Sequence, residues 1–367
     1  MRKLKRLLPL CLCLLALFSF PCAAEQEAEL PEDWVETLPE PLRERLSEEG
    51  GDAVTRFDLP FFADFIGETL RSVAGGALLL AGTLCGLLLL LALPRSASLG
   101  DSLGGGTAAF LGRFGGLAAA LLCAPPLMAL LRETTAYLAS LRGLFGGFLP
   151  LMESILLAGG NPNGAAVSCG VLSLFCSLLD AAGGTLLLPL LRLCLALTLL
   201  SAISTLVDLR PIAGFAEGSF TFLCAVYMTV LLGVFGLQRQ LAAGRDGVAA
   251  RALRFVARSS LPIVGGSVSE AMRTVLGSLN LLKNLAGGSA VVALLLLTLP
   301  PLLRFFCFRL CFQGGKALAE TLGLEALPGL LRGFSRFCDF CIAILAMFAV
   351  SSIFQLGLFL GTGFALE

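Results

Sequence analysis

Residues 72–93 read SVAGGALLLAGTLCGLLLLLAL, a run from Ser72 to Leu93 with no charged side chain. As a helix rising 1.5 Å per residue it covers about 33 Å, enough to cross about 30 Å of hydrocarbon. Working outward from it, comparable apolar runs fill Thr107–Leu131, Tyr137–Ala158, Gly164–Asp180, Thr185–Val207, Ala213–Leu237, Ser289–Leu310 and Phe337–Phe359. The 367-residue chain is 57% hydrophobic and 14% charged, with a mean hydropathy of +0.89. Soluble domains carry about 25% charged and about 45–50% apolar residues. A water-soluble fold of this length cannot cover so much apolar surface, so lipid is the solvent. The expected fold is all-α: a polytopic integral membrane helical bundle with seven or eight transmembrane helices.

Two segments precede the first span. Met1–Phe20 has the parts of a secretory signal: Arg2, Lys3, Lys5 and Arg6, then the apolar core Leu7–Phe20, then Cys22-Ala23-Ala24 as a small-residue cleavage site. A lipidated Cys22 is disfavoured by Pro21, and an uncleaved first span is disfavoured by the short apolar core. Residues 25–68 hold 14 of the 26 acidic residues against three basic ones, Arg43, Arg45 and Arg56. Pro31, Pro39, Pro41 and Pro60 interrupt any long helix there, which suits short helical turns on the extracytoplasmic surface. That segment serves as a solvated spacer or docks a partner. Phe57, Phe61, Phe62 and Phe65 then form an aromatic lead-in suited to the headgroup layer. The expected organisation is a cleaved signal peptide at 1–24, the acidic segment at 25–70, a first group of spans at 71–238, a basic loop with an amphipathic helix at 239–285, and a closing group of spans at 286–367.

Sidedness follows from charge. An exported Glu25 places Arg95 on the inner side, and Arg239, Arg245, Arg251, Arg254 and Arg258 form the most basic loop, expected inside as well. Eight full crossings violate that pairing. Treating Gly164–Val207 as one crossing plus a half-helix, broken near Gly183-Gly184 and Pro189, restores it. Gly112/Gly116, Gly143/Gly147 and Gly357/Gly361 repeat the small-xxx-small spacing that brings helix backbones close, read here as packing within one chain.

Charged residues in apolar runs are expensive in hydrocarbon and mark sites by default. Arg142, Glu153, Asp180, Arg192 and Glu217 are the candidates, with Arg113 near a span end. The alternative is that the arginines snorkel and the carboxylates sit in wet headgroups. Histidine is absent, which removes the commonest general base and metal ligand. Ten of the 13 cysteines follow the leader, all in or beside apolar runs, and read as small packing residues. A four-thiolate site from Cys307, Cys311, Cys338 and Cys341 requires their two helices to meet and is not expected. No GxxxxGK[ST] loop is present, so any energy source lies in another protein. No catalytic, cofactor-binding or metal site is expected, and with no basic face interleaved with aromatics, no nucleic-acid partner.

The most distinctive stretch is RALRFVARSSLPIVGGSVSEAMRTVLGSLNLLKN, Arg251–Asn284. Val268, Met272, Val275, Leu279 and Leu282 follow helical spacing, with Glu270, Arg273, Ser278 and Lys283 opposite them. Such a helix lies in the interface or turns its polar face to a lumen between spans. Arg251, Phe255, Pro262, Val264-Gly265, Glu270 and Leu281-Leu282-Lys283-Asn284 match, without gaps, the pattern of the stage III sporulation protein AE family, which the chain resembles over essentially its whole length. Arg273 sits beside these positions on the polar face and completes the set of assembly or lumen candidates. The cysteine and glycine richness departs from the family picture. The resemblance implies the mother-cell membrane surrounding the forespore and a subunit of the secretion-like channel joining the two compartments, required for late forespore development. It implies as partners the other stage III channel membrane proteins, their ATPase subunit and the lipid bilayer. The competing reading is a free-standing secondary transporter, against which the lack of an inverted repeat counts. A membrane enzyme is not expected, because histidine and a carboxylate pair at plausible spacing are missing.

Overall fold

The computed structural model describes residues 59–97, 105–159, 162–203, 210–260, 265–324 and 327–360. Side chains are described over 64–93, 114–159, 165–201, 211–236, 283–284, 286–324 and 327–360. The leader and most of the acidic segment lie outside these residues. Within them the chain is helical: α1 Leu59–Ala97, α2 Gly105–Ala158, α3 Pro162–Leu179, a π-helix Asp180–Leu187, α4 Leu188–Ile203, α5 Arg210–Ser260, α6 Gly265–Thr321 and α7 Leu327–Leu360. Helix is what such a composition dictates in lipid, where each backbone N–H and C=O must find its partner within the segment.

Among the described residues six helical stretches are long and apolar enough to cross a membrane, against the seven or eight expected. Two expected boundaries are continuous helix. Thr107–Leu131 and Tyr137–Ala158 join in the 54-residue α2. The residues between them, Arg132 to Ala136, contain no glycine or proline, and the hydroxyls of Thr134 and Thr135 bond back to Leu130 O and Leu131 O at 2.9 Å. Similarly, Gly164–Asp180 and Thr185–Val207 join through the π-helix, so the glycine pair widens the turn instead of ending it. Gly183 is needed there for close approach: a Cβ would lie 3.2 Å from Phe348 Cζ and 3.3 Å from Leu138 Cδ1.

α7 is the most deeply buried of the six and orders the others around it. From its start to its end, Gly333 faces Thr198, Arg336 meets Glu217, Asp339 meets Arg309, and Phe340 packs on Phe220. Phe348 then meets Tyr227, Phe354 meets Phe235, and Phe359 meets Phe148. Numbers on α2 and α5 rise along α7, while those on α4 and α6 fall, so α2 and α5 run parallel to it and α4 and α6 antiparallel. At the other end of α2, Gly115 lies under Leu91 of α1. The end of α1 that carries Arg95 and the end of α5 that continues into the arginine run are therefore at opposite ends of the bundle.

Outward faces of α1, α2 and α5 present Leu78, Leu79, Leu121, Phe215 and Phe222, as a lipid-facing surface does. At Gly143 and Gly357, members of two of the expected pairs, a Cβ meets nothing within 4 Å, while Gly112 and Gly361 lie outside the residues whose side chains are described. The close approach of α7 to α4 is instead at Gly333, where a Cβ would lie 2.5 Å from Thr198 Cγ2. Thr198 is held by its bond to Cys194 O at 2.8 Å and cannot turn that methyl away without losing the bond. Gly333→Ala is expected to destabilise the bundle by about 1–3 kcal/mol. Thr198→Ser removes the methyl, keeps the hydroxyl bond and should recover most of that loss, as read by thermal denaturation of the two single variants and the double variant in detergent.

Candidate functional site

Three helices carry uncharged runs of matching length: 218–238 on α5, 284–303 on α6 and 340–360 on α7. Each is about 30 Å long as helix, the depth of the hydrocarbon. They are bounded at one common level by charges. Glu217 accepts both its bonds from Arg336 Nη1 at 2.8 and 2.7 Å. Arg309, 7% exposed, pairs with Asp339. Arg304 pairs with Glu133 at 3.4 Å. On the far side of this belt lie the uncharged runs 72–94 of α1 and 114–131 of α2. The bundle thus consists of two apolar layers with a belt of charges between them.

Each pair in the belt bridges two helices: α5 to α7, α6 to α7, and α2 to α6. A charged side chain in a low-dielectric setting is retained only if paired, so the pairs fix the register of the helices they join. One further pair lies within the layer of matched runs. Arg142 on α2 meets Asp180, the first residue of the π-helix, at 2.5 Å, with both side chains about half exposed. A π-helix between two α-helical stretches is a position where function concentrates.

The structure therefore brings Arg142 and Asp180 together and gives Glu217 a partner that the sequence did not suggest. Glu153 is exposed near the end of α2. Arg192 lines a groove with Arg132. Glu133, Arg304, Arg309, Arg336 and Asp339 went unmarked in the sequence, although Asp339 is a lone acid in an expected span and met the criterion that marked Asp180. Polar groups inside the bundle were also missed. The Tyr137 and Thr298 hydroxyls share a bond of 3.2 Å, and Ser352 and Gln355 are 0% and 1% exposed on α7. Ser352 Oγ and both amide atoms of Gln355 have no hydrogen-bond partner among the described residues.

The Arg251–Asn284 stretch divides between two helices. Arg251 and Phe255 lie on the continuation of α5, Gly265 opens α6, and Glu270 and Arg273 follow on it. Pro262 and Val264 lie outside the described residues. Lys283 is 2% exposed, its Nζ 5.9 Å from the centre of the Phe359 ring, while Asn284 is exposed. Among the described residues no group of three or more cysteines and carboxylates is placed to hold a metal. Cys311 turns its thiol to Ala77 O of α1 at 3.2 Å, and Cys338 and Cys341 are buried in the core.

No solved structure matches the chain. Stage III sporulation protein AE of Bacillus subtilis (strain 168) is 25% identical over 210 residues, 57% of this chain and 52% of that protein, so the match spans about half the relative's length. The family model described as stage III sporulation protein AE matches residues 112–363, from the early part of α2 to just beyond the end of α7. The chain belongs to the stage III sporulation protein AE family.

Proposed function

We propose that the chain is a non-enzymatic membrane subunit of the secretion-like channel complex linking mother cell and forespore, and that it resides in the mother-cell membrane around the forespore. The observation that carries this reading is the family match, which covers the whole bundle from α2 onward. The interhelical ion pairs support a scaffold of fixed register rather than a carrier that rocks between two states, because each rearrangement would expose a paired charge to lipid. With no nucleotide-binding loop in the sequence, an ATPase subunit must supply the energy, and the other stage III membrane proteins are the partners. The leader at 1–24, if cleaved, exports the acidic segment as a docking arm or spacer.

The test is affinity purification of the tagged full chain from sporulating cells. Recovery of ring-forming membrane proteins together with an ATPase is the expected result. Glu270→Leu on the polar face of α6 should insert normally into the membrane, fail to recover those partners and block sporulation. A chain that purifies alone and moves solute in proteoliposomes would establish the transporter reading instead.

A further inference from the structure

A groove of about 460 Å³ lies between α2 and α4. Two guanidinium groups line it, Arg132 from α2 and Arg192 from α4. Both sit at the level of the charge belt. Arg132 neighbours Glu133, which pairs with Arg304. Arg192 lies between Gly183, which faces Phe348, and Thr198, which faces Gly333, so it falls opposite the middle of α7. Arg142, Arg304, Arg309 and Arg336 each have a carboxylate within ion-pairing distance. Arg132 and Arg192 have none among the described residues, and both are exposed.

The groove is polar at one end only. Its apolar walls are Met128 and Leu131 on α2 and Leu195 and Leu199 on α4. On α2 these precede the arginine, and on α4 they follow it. Because the two helices are antiparallel, both sets of walls extend to the same side of the arginine pair. Two unpaired cations above an apolar slot match an amphiphile with an anionic head and a hydrocarbon tail. A soluble anion such as inorganic phosphate would satisfy the arginines and leave the walls unused.

We propose that this groove is a binding site for an anionic phospholipid, its phosphate held by Arg132 and Arg192 and an acyl chain lying between α2 and α4. Guanidinium groups bind phosphate oxygens in bidentate fashion, and basic recesses between membrane helices collect anionic headgroups. The assignment concerns the isolated chain and holds or fails independently of the sporulation complex.

The test is native mass spectrometry of the purified full chain in mixed micelles of phosphatidylglycerol and phosphatidylcholine. The wild type should retain phosphatidylglycerol about tenfold more strongly, a ratio that corresponds to about 1.4 kcal/mol. Arg132→Gln with Arg192→Gln should lower that preference to near unity. Ala196→Trp keeps both charges but fills the groove, and should reduce retention of either lipid; it keeps the proposal testable if the double variant misfolds. Equal retention of the two lipids by the wild type, or an unchanged preference in the double variant, would overturn the proposal. So would displacement of phosphatidylglycerol by equimolar inorganic phosphate, which indicates a free-anion site. Protection of Arg132 and Arg192 by an acidic membrane helix of a co-purified protein would assign the groove to that partner and equally overturn it.

Discussion

Replacing Asp339 by alanine is expected to destabilise the bundle by about 3 kcal/mol, the lower end of the range for breaking a buried ion pair. The asymmetry of the pair sets the size. Arg309 has a side chain only 9% exposed, while Asp339 is 43% exposed. Removing the acid leaves a guanidinium enclosed between α6 and α7 with its principal counter-charge gone. Removing both charges does not, so Arg309→Met with Asp339→Leu should recover most of the loss and can match the wild type. Thermal denaturation in detergent and the yield of monodisperse protein from membranes are the measurements. If Asp339→Ala leaves the melting temperature unchanged, the belt does not hold α6 to α7. The Glu217–Arg336 pair, with both side chains more open to the surroundings, should cost less when broken in the same assay.

The second large effect is expected at the other end of α7, where Phe359 closes the bundle. It is 1% exposed, meets Phe148 edge-on with ring centres 5.2 Å apart, and lies under Lys283 Nζ. Phe359→Ala removes the ring from a packed interior and should cost about 3–5 kcal/mol. A cycle of Lys283→Met, which keeps the apolar stem, with Phe359→Leu isolates the cation–ring contribution. A coupling of about 1–2 kcal/mol is expected for a desolvated pair. Additivity within about 0.5 kcal/mol would show that Lys283 is held by its other contacts. Lys283 belongs to the stretch that carries the family resemblance, and its burial connects the start of α6 to the end of α7.

Both predictions concern residues whose surroundings are not local in the chain. Asp339 was readable as an acid in an apolar run, but the sequence could not name Arg309, which lies on the preceding helix. The reading of α2 failed for the same reason. Arg132 and Glu133 fall between two expected spans, yet Glu133 has Arg304 beside it and the helix runs on. At Gly183-Gly184 the sequence correctly marked an irregularity, but only the packing of Phe348 and Leu138 against Gly183 decides that the chain widens into a π-helix and does not stop. At Gly143 and Gly357 the spacing misled, because spacing says which residues share a helix face and nothing about what faces them.

The family was legible through the resemblance of the Arg251–Asn284 motif, while composition and pattern alone gave the solvent, the helical class and the stretches apolar enough to enter a membrane. These follow from local chemistry: long uncharged runs leave water, and in lipid the backbone satisfies itself only within its own segment. Tertiary structure decided which of those stretches join into one continuous helix, which charges are partners and which remain open. Glu217 and Arg336 stand 119 positions apart, and Tyr137 and Thr298 stand 161 apart. The free energy of a charge or hydroxyl in hydrocarbon depends on its partner, and that partner is supplied only when distant helices pack.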